Sequence, residues 1–246
     1  MNIRAFIWIF VLCAISLPFT VNADPIIVKE IKTGETMLLS TGAVVKLAGI
    51  KSPMEPDLAE KAKNLLIQLS LGKTVTIEEA GKDRHGYIFV QVYITDKNGK
   101  QFWLQSELIK SGRYFVYPME EAKDYVKDLL KQERSAQTSK RGVWAENGYS
   151  DISAEKAEDS YGKYSFVVGI VADAAHRTDK TYLNFGSDWH TDFTISISDK
   201  LQGRLKKSGI DLASIKGKKV RARGLIEQQN GPMIIIYQAE QLELLP

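Results

Sequence analysis

The chain has 246 residues, 44% of them hydrophobic and 26% charged, with a formal net charge of +3 and a single cysteine. That length allows one large or two small domains, and the lone Cys13 excludes a disulfide framework, so apolar cores must hold the fold. The weakly basic balance permits an anionic partner without requiring one, and no internal repeat of solenoid length is visible.

The first element in chain order is a secretory signal. Arg4 precedes an uncharged apolar run from Ala5 to Leu17, and Val21-Asn22-Ala23 places short residues before Asp24. This order of parts predicts cleavage after Ala23 and a periplasmic or secreted product with no membrane attachment. Pro18 and Asn22 leave the run shorter than the ~20 residues of a spanning helix. Leu12 stands where a lipid anchor on Cys13 would want a small residue.

From Ile26 to about Trp144 the pattern predicts strands mixed with three helices. Val44–Ile50, Thr74–Glu78 and Ile88–Ile94 carry β-branched or apolar runs, and Asp96-Lys97-Asn98-Gly99-Lys100 is a hairpin turn signal. Leu58, Ala62, Leu65, Leu66 and Leu69 recur at helical spacing, with Gly72 as the stop. A shorter helix runs from Trp103 to Lys110, and a polar one from Glu120 to Ser139. Residues 146–162 lack apolar periodicity and read as a polar linker. Beyond them, Phe166–Ala172, Thr181–Phe185, Phe193–Ile197, Lys219–Leu225 and Met233–Tyr237 are strands, with a short helix over Leu201–Ser208. Five strands and an interposed helix suit a small Greek-key barrel of the OB type. The expected class is α+β, mainly β, with two OB-type barrels over 24–145 and 163–246.

Four motifs in the first domain then fall into order. Gly49-Ile50-Lys51-Ser52-Pro53 is followed by Asp83-Arg84-His85-Gly86, by Leu108-Ile109-Lys110-Ser111-Gly112, and by Lys140-Arg141-Gly142-Val143-Trp144. Together they resemble the staphylococcal nuclease-like (thermonuclease) family over Ile26 to about Trp144. The later segments Tyr182-Leu183-Asn184-Phe185-Gly186 and Val220-Arg221-Ala222-Arg223-Gly224 resemble an OB-like domain found on some bacterial thermonuclease-like proteins.

The resemblance implies a calcium-dependent phosphodiester hydrolase. Such a site needs oxygen ligands for a hard cation, a carboxylate base within reach of water and guanidinium forks for the phosphate. Carried over position by position, the metal-binding Asp falls on Lys51 and the base on Met54. The two clamping arginines fall on Lys46 and Tyr87. Glu35, in Thr33-Gly34-Glu35-Thr36, stands in for the first metal carboxylate. The substitutions predict that efficient cleavage is lost and that Ca²⁺ is bound only if the nuclease site survives. Glu55, next to Met54, is the alternative base of a weak phosphodiesterase built on Glu35, Lys46 and Glu55.

Elsewhere, His85, His176 and His190 are too scattered to form a zinc site, and no nucleophile elbow surrounds a serine. Lys219, Arg221 and Arg223 would project from one face of a strand, with Tyr182, Phe185 and Trp189 as stacking surfaces. That combination is how OB folds hold single-stranded nucleic acid. The same residues also suit a solvated half-buried strand over an aromatic core. The function expected is binding of nucleic acid or another polyanion without efficient cleavage; weak hydrolysis and a protein-interaction scaffold are the alternatives.

Overall fold

The computed structural model describes residues 24–83, 85–145 and 149–246. The stretch expected to be a signal peptide lies outside them, and no described helix is long and apolar enough to cross a membrane. The first domain runs β1 (Val28–Ile31), β2 (Thr36–Leu39), β3 (Val44–Leu47), β4 (Ile50–Lys51), α1 (Pro56–Ser70), β5 (Val75–Lys82), β6 (Ile88–Thr95), β7 (Gln101–Trp103), α2 (Leu104–Lys110), β8 (Phe115–Val116) and α3 (Val126–Thr138). Its sheet order is β1-β2-β3-β6-β5, with β3 and β6 parallel. The Ile27–Thr74 bridge and the hydrogen bond from Val28 N to Lys73 O bring the two edges together. This is the OB strand order, closed into a barrel.

Strand β3 gives alternate residues to the interior, as the two-residue period requires. Val45 and Leu47 are buried while Lys46 between them is not. Helix α1 turns Ala62 and Leu66 into the same core as Val90, Val92 and Leu108. The polar third helix is shorter than expected. Glu120–Ala122 forms a separate 3-10 turn because Ala122 is buried against Gly49, where an added Cβ would lie 2.9 Å away. Tyr125, whose hydroxyl donates to Glu78, then redirects the chain into α3. The motif glycines Gly112 and Gly142 pack backbone on backbone. A Cβ on Gly112 would meet Arg141 O at 2.1 Å, and Val143 N donates to Gly112 O at 2.8 Å.

The second domain contains β9 (Ile152–Ser153), β10 (Tyr164–Ile170), β11 (Asp173–Arg177), β12 (Lys180–Asn184), β13 (Thr194–Ser198), α4 (Gln202–Lys207), β14 (Lys219–Gln228), β15 (Pro232–Ile236) and β16 (Leu242–Leu244). One sheet takes the order β11-β12-β13-β15-β14-β10-β9, with β16 beside β14. Strands β10 and β11 are consecutive in the chain but lie at opposite sides of the sheet, β11 at one edge and β10 next to β9 at the other, and β13 and β15 are parallel. The OB order therefore recurs, with α4 between its third and fourth strands as α1 is in the first barrel. The stretch expected to be a linker is partly built into this domain. Strand β9 pairs with β10, and a 3-10 turn over Ala154–Ser160 buries Ala154 and Ala157. Two small apolar residues were too weak a signal among so many polar ones.

The barrels are joined by a cluster drawn from both, comprising Phe115, Val143, Tyr164 and Phe166 with Trp144 and Tyr149 packed against it. Phe166 meets Phe115 at 5.6 Å and Trp144 at 5.3 Å between ring centres, edge-on as the ring quadrupoles favour.

Candidate functional site

The two loops that flank the outer face of the first barrel come from β1–β2 and β5–β6. These are the positions where OB folds present ligand-binding groups. Glu35 is in the first loop. Its carboxylate accepts hydrogen bonds from Ser52 N at 2.6 Å and Ser52 Oγ at 2.8 Å, and its backbone O accepts from Leu47 N on β3. Gly34 allows this approach, since a Cβ there would lie 2.8 Å from Ser52 Oγ. The buried Tyr114 hydroxyl fastens the loop from beneath by donating to Gly34 O at 2.7 Å. Burial, and then the Glu35 carboxylate, push that hydroxyl's pKa well above its ordinary value.

The second loop is shaped by Asp83. Its side chain accepts from His85 N at 2.8 Å and Tyr87 N at 2.9 Å, an Asx-type turn. Desolvation works against the Asp83 charge, yet those two amides and Lys46 hold its pKa below the ordinary value. The turn sets the Tyr87 ring 3.8 Å from Lys46 Nζ, and the same ammonium lies 3.8 Å from Asp83 Oδ2. Lys46 and Tyr87 are thus adjacent, as two groups at one phosphate would have to be. Arg84 lies outside the described residues.

Residues 44–146 match the family model for staphylococcal nuclease homologues. This segment is similar to staphylococcal nuclease homologues. A protein from Escherichia coli named "Uncharacterized endonuclease" is 32% identical over 104 residues, covering 42% of this chain and 63% of that relative. One of the same name from Escherichia coli O157:H7 is 31% identical over 104 residues, with the same coverage. The chain therefore matches under two thirds of the length of these curated relatives. Glu35 lies ahead of the segment matched by the family model, but the fold delivers it to the nuclease-like face.

Within the nuclease-like domain, Lys51 leaves β4 directly before the Ser52 that binds Glu35. Its Nζ is 5.4 Å from the Tyr117 ring centre. Met54, which the resemblance puts at the base position, is 55% exposed. Glu55 precedes α1 with its carboxylate engaged by the Tyr149 hydroxyl; Met54 N donates to that hydroxyl at 3.4 Å. Burial and the Glu55 carboxylate raise the Tyr149 pKa. The structure therefore gathers Glu35, Lys46, Lys51 and Tyr87 around the two loops, and ties Glu55 to a different partner. The sequence reading missed Tyr114, Tyr117 and Tyr149. The unbroken run Tyr114-Phe115-Val116-Tyr117 signals a buried strand and does not single out either tyrosine.

The basic run of the second barrel needs correction. Lys219 is exposed, but Arg221 and Arg223 are covered by the nuclease-like domain. Arg223 donates to Glu133 on α3 at 2.7 Å, to Glu243 at 2.7 Å and to Val116 O at 3.4 Å. Burial opposes its charge, but Glu133 leads the partners that keep its pKa above the ordinary value. Arg221 lies over Phe166 at 4.7 Å and within 2.8 Å of Asp151. The alternation that resembled a ligand face is an interdomain face. Tyr182 is half-buried on β12, paired with Ala175 and Ser196. Trp189 is exposed and stacks on His190 at 3.6 Å, in a turn where Asp188 caps His190 N. No described contact joins either aromatic to the arginines.

Proposed function

We propose that the nuclease-like domain binds the phosphodiester backbone of single-stranded nucleic acid, or a similar polyanion, without cutting it efficiently. We further propose that it does so in the periplasm or outside the cell once residues 1–23 are removed. The observation that carries the reading is the pairing of Lys46 and Tyr87 beside Asp83, 3.8 Å from Nζ to ring centre. It leaves a cation and a hydroxyl-bearing ring where a phosphate would be held. Lys51 adds a second ammonium.

The residues present do not fit a calcium ion. A hard divalent cation takes six to eight oxygen ligands. Here Glu35 is already hydrogen-bonded twice by Ser52, and Lys51, directly before Ser52, carries an ammonium that repels the ion. Among the described residues no group of three His, Cys, Asp or Glu side chains converges on one point. General-base chemistry is equally short of a group. Met54 accepts no proton at neutral pH, and Glu55 is bound by Tyr149. The loss of one electrostatic donor alone costs a nuclease-type barrier about 3 kcal/mol, and several are replaced here.

The printed name of the relatives favours a second reading, a weak phosphodiesterase using Glu35, Lys46 and Glu55. One experiment separates the two. Labelled single-stranded DNA is incubated with the purified protein at several salt concentrations, with and without Ca²⁺. The binding reading expects complexes that weaken steeply with salt and strands that stay intact. Ca²⁺-dependent cutting that disappears in Glu55→Ala would establish the enzyme reading. Absence of both binding and cutting would leave the fused barrels as a scaffold.

A further inference from the structure

A cleft of about 410 Å³ opens between the two barrels. The nuclease-like domain supplies Tyr117, Met119 and Glu121 to its walls, and the second barrel supplies Tyr164, Leu225 and Tyr237. Tyr237 is 65% exposed here and Leu225 46%, and both line this one cleft. Contiguous exposed aromatic surface beside a cavity marks a binding site more often than chance exposure does.

Two further observations give the cleft a ligand chemistry. First, Tyr164 is buried, and its hydroxyl has no hydrogen-bond partner among the described residues. A buried hydroxyl without a partner is uncommon and calls for one. Second, Tyr117 is the hinge between this cleft and the proposed backbone-binding face. Lys51 Nζ is 5.4 Å from the Tyr117 ring centre, and the Tyr164 ring centre is 5.6 Å from it. Burial, then Glu35, then Tyr237 raise the pKa of the Tyr117 hydroxyl, which places it within electrostatic reach of both the site and the second barrel.

The charges of the cleft select which part of a nucleotide enters. Glu121 and Glu227 line it and repel a phosphate. Glu120 is offset by Lys123 and Arg204. Flat aromatic faces with carboxylate and hydroxyl edges suit a nucleobase, which stacks through its rings and hydrogen-bonds through its N–H groups. A phosphate on Lys51 puts the adjoining base at Tyr117. We propose that the interdomain cleft is a nucleobase subsite, shared by Tyr117 of the first barrel and Tyr164 and Tyr237 of the second. The proposal rests on the backbone-binding reading above. It gives the second barrel a direct part in holding the strand.

The test uses the full mature chain and fluorescence anisotropy with two labelled probes: a short deoxyadenosine oligonucleotide and an abasic phosphodiester strand of equal length. Tyr237→Ala is the informative variant, because an exposed ring can be truncated without opening the core. The expected result is a loss of about 5- to 150-fold in affinity for the base-bearing probe, the range set by one stacked base. Abasic binding stays unchanged, and Tyr237→Phe restores the loss. Equal binding of the base-bearing probe by wild type and Tyr237→Ala overturns the subsite while leaving the backbone reading intact. An equal fall with both probes overturns it too. If neither probe binds the wild type at any salt, the backbone reading fails, and the subsite fails with it.

Discussion

Replacing Arg223 by Met tests whether the two barrels stand as one unit. Arg223 is 2% exposed and Glu133 is 0% exposed. In the variant, Glu133 Oε2 loses the guanidinium at 2.7 Å and keeps no comparable partner among the described residues. Glu133 Oε1 still accepts from Val116 N at 2.8 Å. Glu243, at 20% exposed, can be rehydrated, so the cost concentrates on Glu133. Met keeps part of the apolar stem beside Phe166. Breaking a buried pair from one side costs about 3–5 kcal/mol. For a chain of this size each kcal/mol lowers Tm by about 2–4 °C, giving a fall of about 6–20 °C. The double variant Arg223→Met/Glu133→Gln removes the stranded charge and leaves an amide oxygen for Val116 N. It should recover all but about 1 kcal/mol. Urea and thermal unfolding of the wild type, both singles and the double measure this. The reasoning is refuted if Arg223→Met costs under about 1 kcal/mol, or if the double loses the sum of the singles.

Further predictions concern the site and its supports. Lys46→Ala and Lys51→Ala should each weaken single-strand binding and reduce the slope of log affinity against log salt by about 0.7, read by anisotropy across a salt series. Gly142→Ala should cost at least about 3 kcal/mol in urea unfolding, because its φ is +57° and a Cβ would lie 2.3 Å from Gly112 O. Asp83 has a folded pKa below its ordinary 3.8, so its contribution is present above pH 3.8 and lost as pH falls through the lowered value. The His85 and Tyr87 amide resonances should move together in that acid range, and Asp83→Asn should abolish the titration. Lys51→Asp should place a carboxylate beside Glu35 and create Ca²⁺ stabilisation visible as a Tm rise with added ion; an unchanged Tm would argue that these residues do not converge.

The first barrel, and which loops carry its candidate residues, were largely legible in the sequence, because the determinants are local. Gly49 to Pro53 and Asp83 to Gly86 sit at strand ends and turns, where residue type follows from backbone geometry and short-range hydrogen bonds. The convergence of Glu35, Lys46, Lys51 and Tyr87 then follows from the OB strand order. The second barrel was legible in its β-rich runs but not in β11, where Asp-Ala-Ala-His-Arg has little strand character and forms only because β12 templates it. The face of β14 was misread for a more basic reason. Alternation shows that Arg221 and Arg223 share a side, but not whether water or a second domain covers it. Glu133 lies 90 residues away from Arg223, and nothing in either local pattern links them. Tyr149 holding Glu55 is hidden for the same reason.

The central claim, a nucleic-acid face that holds without hydrolysing, is tested most directly by following intact single-stranded DNA with saturating mature protein and Ca²⁺ over an extended incubation. The strand should remain whole while bound, and Lys46→Ala should hold it more weakly. Fragments that require Ca²⁺, and that vanish in both Glu35→Ala and Glu55→Ala, would contradict the account.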